Sequence, residues 1–305
     1  MFVLNPDPFL LPAYRLCPFK TDYIGMNSEL PQDDFAIAYF NKKFGEGQWH
    51  YTYNGREAIN LALESYGLDI KDVVTILTTS QNFYISSCVT STIEKFCKWN
   101  RKIIPETKLI LVNHEFGYPY PEMEKLVATG LPIIEDCCTT FFSQDEKEKI
   151  GKYGDFSTYS FPKFFPIQIG GILVNNTNNN PLQKSILNPI EVEYIQNVLS
   201  NQLKSETVLL QKRQTVYEYA LQLLLPLGFT VRFLLNENCV PYTLVLNNNR
   251  IIKDLDNLKL YLTQNGIQSS VFYGEDAFFI PCHQNLAFLD LDYFSKVLND
   301  FINKE

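Results

Sequence analysis

The sequence predicts an α/β protein: a largely parallel sheet covered on both faces by helices, followed by a second, smaller lobe. Three observations carry this. Short apolar runs of strand length alternate with segments of helical periodicity, the pattern of strands buried on both faces. At 305 residues, 46% hydrophobic and 20% charged, the chain can bury a large core and is long enough for two lobes. No internal repeat of fixed period is visible, which removes solenoids and propellers.

Residues 73–77, 109–112, 131–134, 156–161 and 172–174 read as strands, and the segment after Gly55, with Ala58, Ile59, Ala62 and Leu63, as a helix. The run 175–180, rich in asparagine and ended by Pro181, is a polar loop after a strand. From Ile190 to about Leu225 the pattern becomes one or two long helices, with Val192, Ile195, Leu199 and Leu203 on one stripe. That passage marks the exit from the first lobe, and the expected division is 1–205 and 206–305. The second lobe starts with strand-like 229–235 and 242–246. An amphipathic helix follows, with Ile252, Leu255, Leu258 and Leu262, and Gly266 stops it.

A net charge of −8 with no Lys/Arg-rich run argues against nucleic acid or an anionic membrane surface as partner, since both need a basic field. The first twelve residues lack a basic region and are broken by Pro6, Pro8 and Pro12, so they do not read as a signal peptide. No apolar run approaches membrane-spanning length, and a cytoplasmic protein is expected. The seven cysteines are scattered and odd in number, as buried thiols of a reducing compartment are. Cys137 and Cys138 are neighbours, but adjacent strand positions face opposite sides, so packing is expected of both. His50, His114 and His283 show no metal-ligand spacing, and no metal is expected.

Several short motifs carry chemistry. In Tyr53-Asn54-Gly55-Arg56-Glu57, a turn glycine opens a helix whose first N–H groups can converge on an anion. The helix dipole supplies only about 0.3–1 kcal/mol there, against roughly 1.5–3 kcal/mol per charge-assisted hydrogen bond. Direct donors from Gly55, Arg56 and a hydroxyl must therefore dominate such a phosphate cup. The loops 79–86 and 113–117 follow strands, where open α/β sheets place ligand-binding segments. Phe83 in the first can lie flat on a ring or fill the core; His114 in the second can anchor the loop or touch substrate.

The segment 133–171 is the most specific. An apolar strand ends in Glu135-Asp136, the strand 156–161 delivers Ser160, and Lys163 follows between Pro162 and the Gly170-Gly171 pair, in a turn and not on a solvated helix face. An acid at a strand end and a lysine in a turn are what pyridoxal phosphate chemistry needs. The lysine forms the Schiff base, and the ionised acid pairs with the protonated pyridine nitrogen so that the ring remains an electron sink.

Taken together, Gly55-Arg56-Glu57-Ala58-Ile59, His114-Glu115-Phe116-Gly117, Ile133-Ile134-Glu135-Asp136, Gly154-Asp155 through Ser160-Phe161, Lys163 and Gly170-Gly171 resemble the successive motifs of the DegT/DnrJ/EryC1/StrS family of pyridoxal-phosphate sugar aminotransferases. Gly266-Ile267 and residues 280–286 (Ile280-Pro281-Cys282-His283-Gln284-Asn285-Leu286) are similar to its C-terminal segments, so the likeness runs from about residue 50 to the end. The resemblance implies the type I (aspartate aminotransferase-like) fold, a three-layer αβα large domain with a smaller C-terminal α/β domain. It implies a homodimer with active sites at the subunit interface, and transfer of an amino group from glutamate to a keto sugar, nucleotide-linked, in surface polysaccharide or amino-sugar biosynthesis. Carried over by position, Lys163 holds the cofactor and shuttles the proton, Asp136 meets the pyridine nitrogen, Ser160 with Gly55 and Arg56 holds the phosphate, and Phe83 stacks on the ring. Thr139 stands where the family usually has a glutamine or histidine that contacts the cofactor's hydroxyl. Two residues fewer than usual separate Ser160 from Lys163, which leaves Thr158 as an alternative phosphate hydroxyl. The family's segment that reaches the partner's site has no clear counterpart after Asn180. Those departures define a second reading, a catalytically altered cofactor-binding relative with a regulatory role. For Lys163 to act as a base near neutral pH, its amine must be far less basic than in water, which burial beside a cationic Schiff base would achieve.

Overall fold

A computed structural model describes residues 12–177 and 184–304. The first eleven residues, and residues 178–181 of the polar loop, lie outside the described residues. The first sheet has seven strands: β1 (Trp49–Thr52), β2 (Val73–Thr78), β3 (Lys98–Asn100), β4 (Thr107–Asn113), β5 (Ile133–Asp136), β6 (Phe156–Ser160) and β7 (Gly171–Asn175). Their order is β1-β7-β6-β5-β4-β2-β3, and only β7 runs against the others.

Helices α1 (Tyr23–Ser28), α2 (Phe35–Phe44), α3 (Gly55–Glu64), α4 (Ser87–Ile93), α5 (Met123–Val127) and α6 (Pro189–Leu203) accompany it. The strands alternate in the two-residue period that sends side chains to both faces. Ile134, Phe156 and Leu173 pack under α3 and α4, while Ile133, Tyr159 and Ile172 pack with α2 and α6. Both faces are thus covered, and the helix read after Gly55 is α3.

The two differences in the large sheet have simple causes. The strand read from residue 131 starts at Ile133, because Pro132 has no N–H for the ladder and offers only its carbonyl, to the Ile110 N–H. The strand read through residue 161 ends at Ser160, where Phe161–Lys163 wind into a single 3-10 turn with Pro162 inside it. The long helical stretch resolves into α6 and α7 (Glu206–Leu224), broken at Lys204-Ser205.

The second sheet joins β8 (Thr230–Val231), β9 (Leu244–Asn247), β10 (Ser270–Val271) and β11 (Ala277–Ile280) in the order β10-β11-β9-β8. It packs with α7, α8 (Leu255–Gln264) and α9 (Phe288–Ile302) around Leu244, Leu246, Phe278 and Phe294. The strand expected over 229–235 shrinks to Thr230–Val231; the Arg232 N–H still donates to Val245 O (3.1 Å), and its side chain pairs with Glu275.

All parallel strands of the large sheet finish on one edge, and the small lobe closes over it. Tyr242 N–H donates to Phe116 O (2.8 Å) and Asn82 Nδ2 to Tyr273 O (2.7 Å). At Gly117, with φ +101°, an added Cβ would lie 2.3 Å from Val240 O, so only glycine permits this approach. The arm before α1 crosses to the small lobe, where His283 Nε2 bonds Arg15 O (3.1 Å) and Asn285 Nδ2 bonds Pro18 O (2.8 Å). The 280–286 motif is therefore a clasp for the N-terminal arm.

Candidate active site

Asp136 closes β5 with its carboxylate held from two sides. Asn113 Nδ2, at the end of neighbouring β4, donates to Oδ2 (2.6 Å), and the Cys138 N–H donates to Oδ1 (3.1 Å). Each oxygen keeps a lone pair, and the buried group cannot swing.

Immediately before it, Glu135 does structural work. Its carboxylate accepts the N–H groups of Gly151 (2.9 Å), Tyr153 (2.7 Å) and Gly154 (2.8 Å), fixing the turn that leads into β6. His114 Nδ1 accepts the Tyr120 N–H (2.9 Å), so Nε2 carries the proton and donates to Glu135 (3.2 Å). Of the two roles left open for His114, the geometry assigns the loop anchor. His114, Glu135 and Cys137 lie close enough to surround a cation, but this site is empty and its ligand atoms on His114 and Glu135 are already bonded to the chain.

The mouth of α3 forms the expected cup. The Asn54 side chain takes the Glu57 N–H (3.0 Å), and the first helical bond runs from Ala58 to Asn54 O. The N–H groups of Gly55 and Arg56 therefore lie outside the helix's own bonding, at its positive end. A Cβ on Gly55 would sit 2.4 Å from Cys138 Sγ and 3.2 Å from Ser160 Cβ, so the cup, β5 and β6 meet at this glycine. Cys138 thus packs at the site itself, whereas Cys137 is buried on the opposite face, in the cluster with Phe141. Gly55→Ala is expected to loosen cofactor retention by about tenfold, roughly 1.4 kcal/mol, and Cys138→Ala in the same chain to restore part of it; equilibrium dialysis of pyridoxal phosphate measures both.

Ser160 is partly exposed at the end of β6. Thr158, two residues back on the same face, is fully buried, and its hydroxyl has no hydrogen-bond partner among the described residues. Thr139 turns its hydroxyl to His114 O (2.7 Å), so the proton of that group is committed to the loop and only its oxygen can still accept. Phe83 stands 73% exposed on its loop, which Arg101 pins from below through the Asn82 carbonyl and Thr78 (3.0 Å). Arg56 reaches across to Cys88 Sγ (2.7 Å).

Lys163, in the 3-10 turn after β6, is partly buried and has no carboxylate partner among the described residues. Its Nζ lies 4.9 Å from the centre of the Tyr242 ring. The pKa runs opposite to the expected direction: Tyr242 raises it, burial works the other way, and Cys138 and Cys17 add to the rise. Any fall in basicity must come from positive charge brought in beside the amine.

Three contributors were not read from the sequence. Tyr242 and Gln284 come from the small lobe, and their closeness to Lys163 depends on how the lobes pack. Arg213 did leave a signal, since it shares the apolar stripe of α7 with Leu209, Val216 and Ala220 and is only 2% exposed.

These residues fit pyridoxal phosphate. An oriented strand-end carboxylate, a lysine without an acid, and a cup that excludes any Cβ meet on one sheet edge.

The fold is that of the type I, aspartate aminotransferase-like pyridoxal-phosphate proteins. The chain covers 93% of itself and 95% of the aminotransferase TlmJ from Streptoalloteichus hindustanus at a TM-score of 0.72 with 17% identity. It covers 98% of itself and 86% of NtdA from Bacillus subtilis, a structure with the cofactor PMP bound, at 0.69 and 15%. These likenesses concern the fold. GDP-perosamine synthase of Escherichia coli O157:H7 is 32% identical over 167 residues, which cover 46% of this chain and 44% of that protein, less than half its length. The sequence profile of the DegT/DnrJ/EryC1/StrS aminotransferase family matches residues 38–188, from α2 to the start of α6. That match, to just under half of the chain, is with the family whose motifs the sequence resembles.

Proposed function

We propose that the chain is a pyridoxal-phosphate aminotransferase that moves an amino group from glutamate to a keto sugar carried on a nucleotide. The observation that carries this is the pair formed by Asp136, fixed by Asn113 and the Cys138 amide, and Lys163, free of any acid, at the ends of adjacent strands. The family match supports the class of reaction, and the name of the GDP-perosamine synthase relative supports the nucleotide-linked sugar.

When bound, pyridoxal phosphate supplies an electron sink for the charge released at the substrate carbon. The chain does the rest. Gly55 and Arg56 N–H groups and the Ser160 hydroxyl grip the phosphate, and the Asp136 carboxylate keeps a proton on the pyridine nitrogen. Phe83 covers one face of the ring and excludes water. Lys163 Nζ would hold the cofactor and, when free of it, would carry the proton to and from the substrate carbon.

The division into a cofactor-holding lobe, 1–205, and a smaller lobe, 206–305, belongs to the same reading, as do a homodimer and a cytoplasmic place. No helix among the described residues is long and apolar enough to cross a membrane.

Adding glutamate to cofactor-loaded protein is expected to convert its long-wavelength band to that of the amine form of the cofactor. An unchanged spectrum with bound cofactor would favour a binding role without turnover. For Asp136→Asn we expect bound cofactor and a half-reaction slowed by at least about a hundredfold, ~2.7 kcal/mol of transition-state stabilisation, measured by stopped-flow absorbance.

A further inference from the structure

We propose that Tyr242, clamped from behind by Arg213, is the positioning residue that holds the Lys163 amine whenever it is not joined to the cofactor. The inference rests on the function proposed above and assigns roles to Tyr242 and Arg213, which lie outside the sequence motifs.

The Tyr242 ring lies 4.9 Å from Nζ, centre to nitrogen, and Tyr242 is foremost among the groups that favour the charged amine. A cation over an aromatic face gains about 0.5–2 kcal/mol, depending on desolvation. That contact places a rigid ring against an otherwise flexible side chain.

Tyr242 is itself immobilised. Its N–H donates to Phe116 O (2.8 Å), and its carbonyl accepts from Arg213 Nη2 (2.7 Å). Arg213 Nε donates to the preceding carbonyl, Pro241 O (3.0 Å), and Nη1 to Gln284 Oε1 (2.6 Å). Gln284 Nε2 then donates to Phe164 O (2.7 Å), the residue after Lys163. The circuit Tyr242, Arg213, Gln284, Phe164 and Lys163 is closed, and it ties α7 and the small lobe to the lysine turn.

Arg213 is buried with no acid partner among the described residues; its guanidinium lies 4.8 Å from the Phe164 ring, and burial pushes its pKa down to about 10. A cation so placed is costly to bury and does not recommend itself for stability alone. Its three bonds all serve to hold the backbone on either side of the Tyr242–Lys163 contact.

The titratable groups facing Lys163 come from four elements: Tyr242 from the segment before β9, Cys138 from the loop after β5, Cys17 from the N-terminal arm, and Cys88 from α4. Tyr242 is foremost in favouring the charged amine, against burial. Removing the phenol oxygen is therefore expected to lower the basicity of Lys163 and raise the small fraction of free amine at a given pH.

The test uses the full chain stripped of cofactor and mixed with pyridoxal 5'-phosphate over a range of pH. The unprotonated amine and the aldehyde condense with loss of water, and the absorbance of the adduct gives the rate; borohydride reduction and peptide mass give the lysine. Tyr242→Phe is expected to capture the cofactor several-fold faster near neutral pH and to converge with the parent at alkaline pH. Gln284→Leu, which opens the clamp and leaves the phenol in place, is expected to shift the profile the same way by less. Superimposable profiles for parent and Tyr242→Phe, with the adduct on Lys163 in both, would overturn this inference and leave the proposed function standing. An adduct on another lysine would overturn both.

Discussion

Lys163→Arg is expected to fold, to keep the positive charge beside Tyr242, and to lose all turnover. A guanidinium stays protonated at any working pH and neither condenses with an aldehyde nor carries a proton. The loss should equal that of removing the nucleophile altogether, which for groups acting as a unit exceeds about 10³-fold, ~4 kcal/mol. The checks are steady-state transamination and the absorbance of the protein after incubation with cofactor. Unaltered melting alongside a missing band separates lost chemistry from lost structure. Measurable turnover in this variant would mean that the wrong lysine has been assigned.

Glu135→Ala is expected to give the largest loss of stability, about 3–5 kcal/mol, the range for removing one partner of a buried charged network. The side chain is fully buried and serves three backbone N–H groups and His114 Nε2. Alanine leaves those donors without an acceptor in a place that water reaches poorly, and each unmade bond costs about 1–3 kcal/mol. Asp136 is the next residue, so loosening this turn also tilts the carboxylate that Asn113 holds. A lower denaturation midpoint together with weaker cofactor retention is the expected pair of results. A midpoint within about 0.5 kcal/mol of the parent would show that water or another group satisfies those amides.

The parts of the site that lie within one strand and its following turn were legible in the sequence. Asp136 at the end of an apolar run, Gly55 at a helix entry, and Lys163 between a proline and a glycine pair each depend on local geometry, and the structure places them on one sheet edge. Strands β2, β4 and β7 were legible for the same reason, being nearly continuous apolar runs.

What depends on register or on lobe packing was not legible. Asn113 meets Asp136 because β4 and β5 pair in that register, and Tyr242 meets Lys163 because Gly117 lets the small lobe approach. Ser160 and Thr158 could not be separated by spacing; Ser160 is partly exposed at the end of β6, and Thr158 is buried two residues back. The basicity of Lys163 was read from the chemistry it must perform, and the side chains around it push the other way.

The most direct test of the central claim is the ultraviolet-visible spectrum of the protein after loading with pyridoxal 5'-phosphate, followed by borohydride reduction and mass analysis of the labelled peptide. A long-wavelength band that is lost on reduction, with the adduct on Lys163, is the predicted result. A loaded protein without that band, or with the label on any other lysine, would contradict the account.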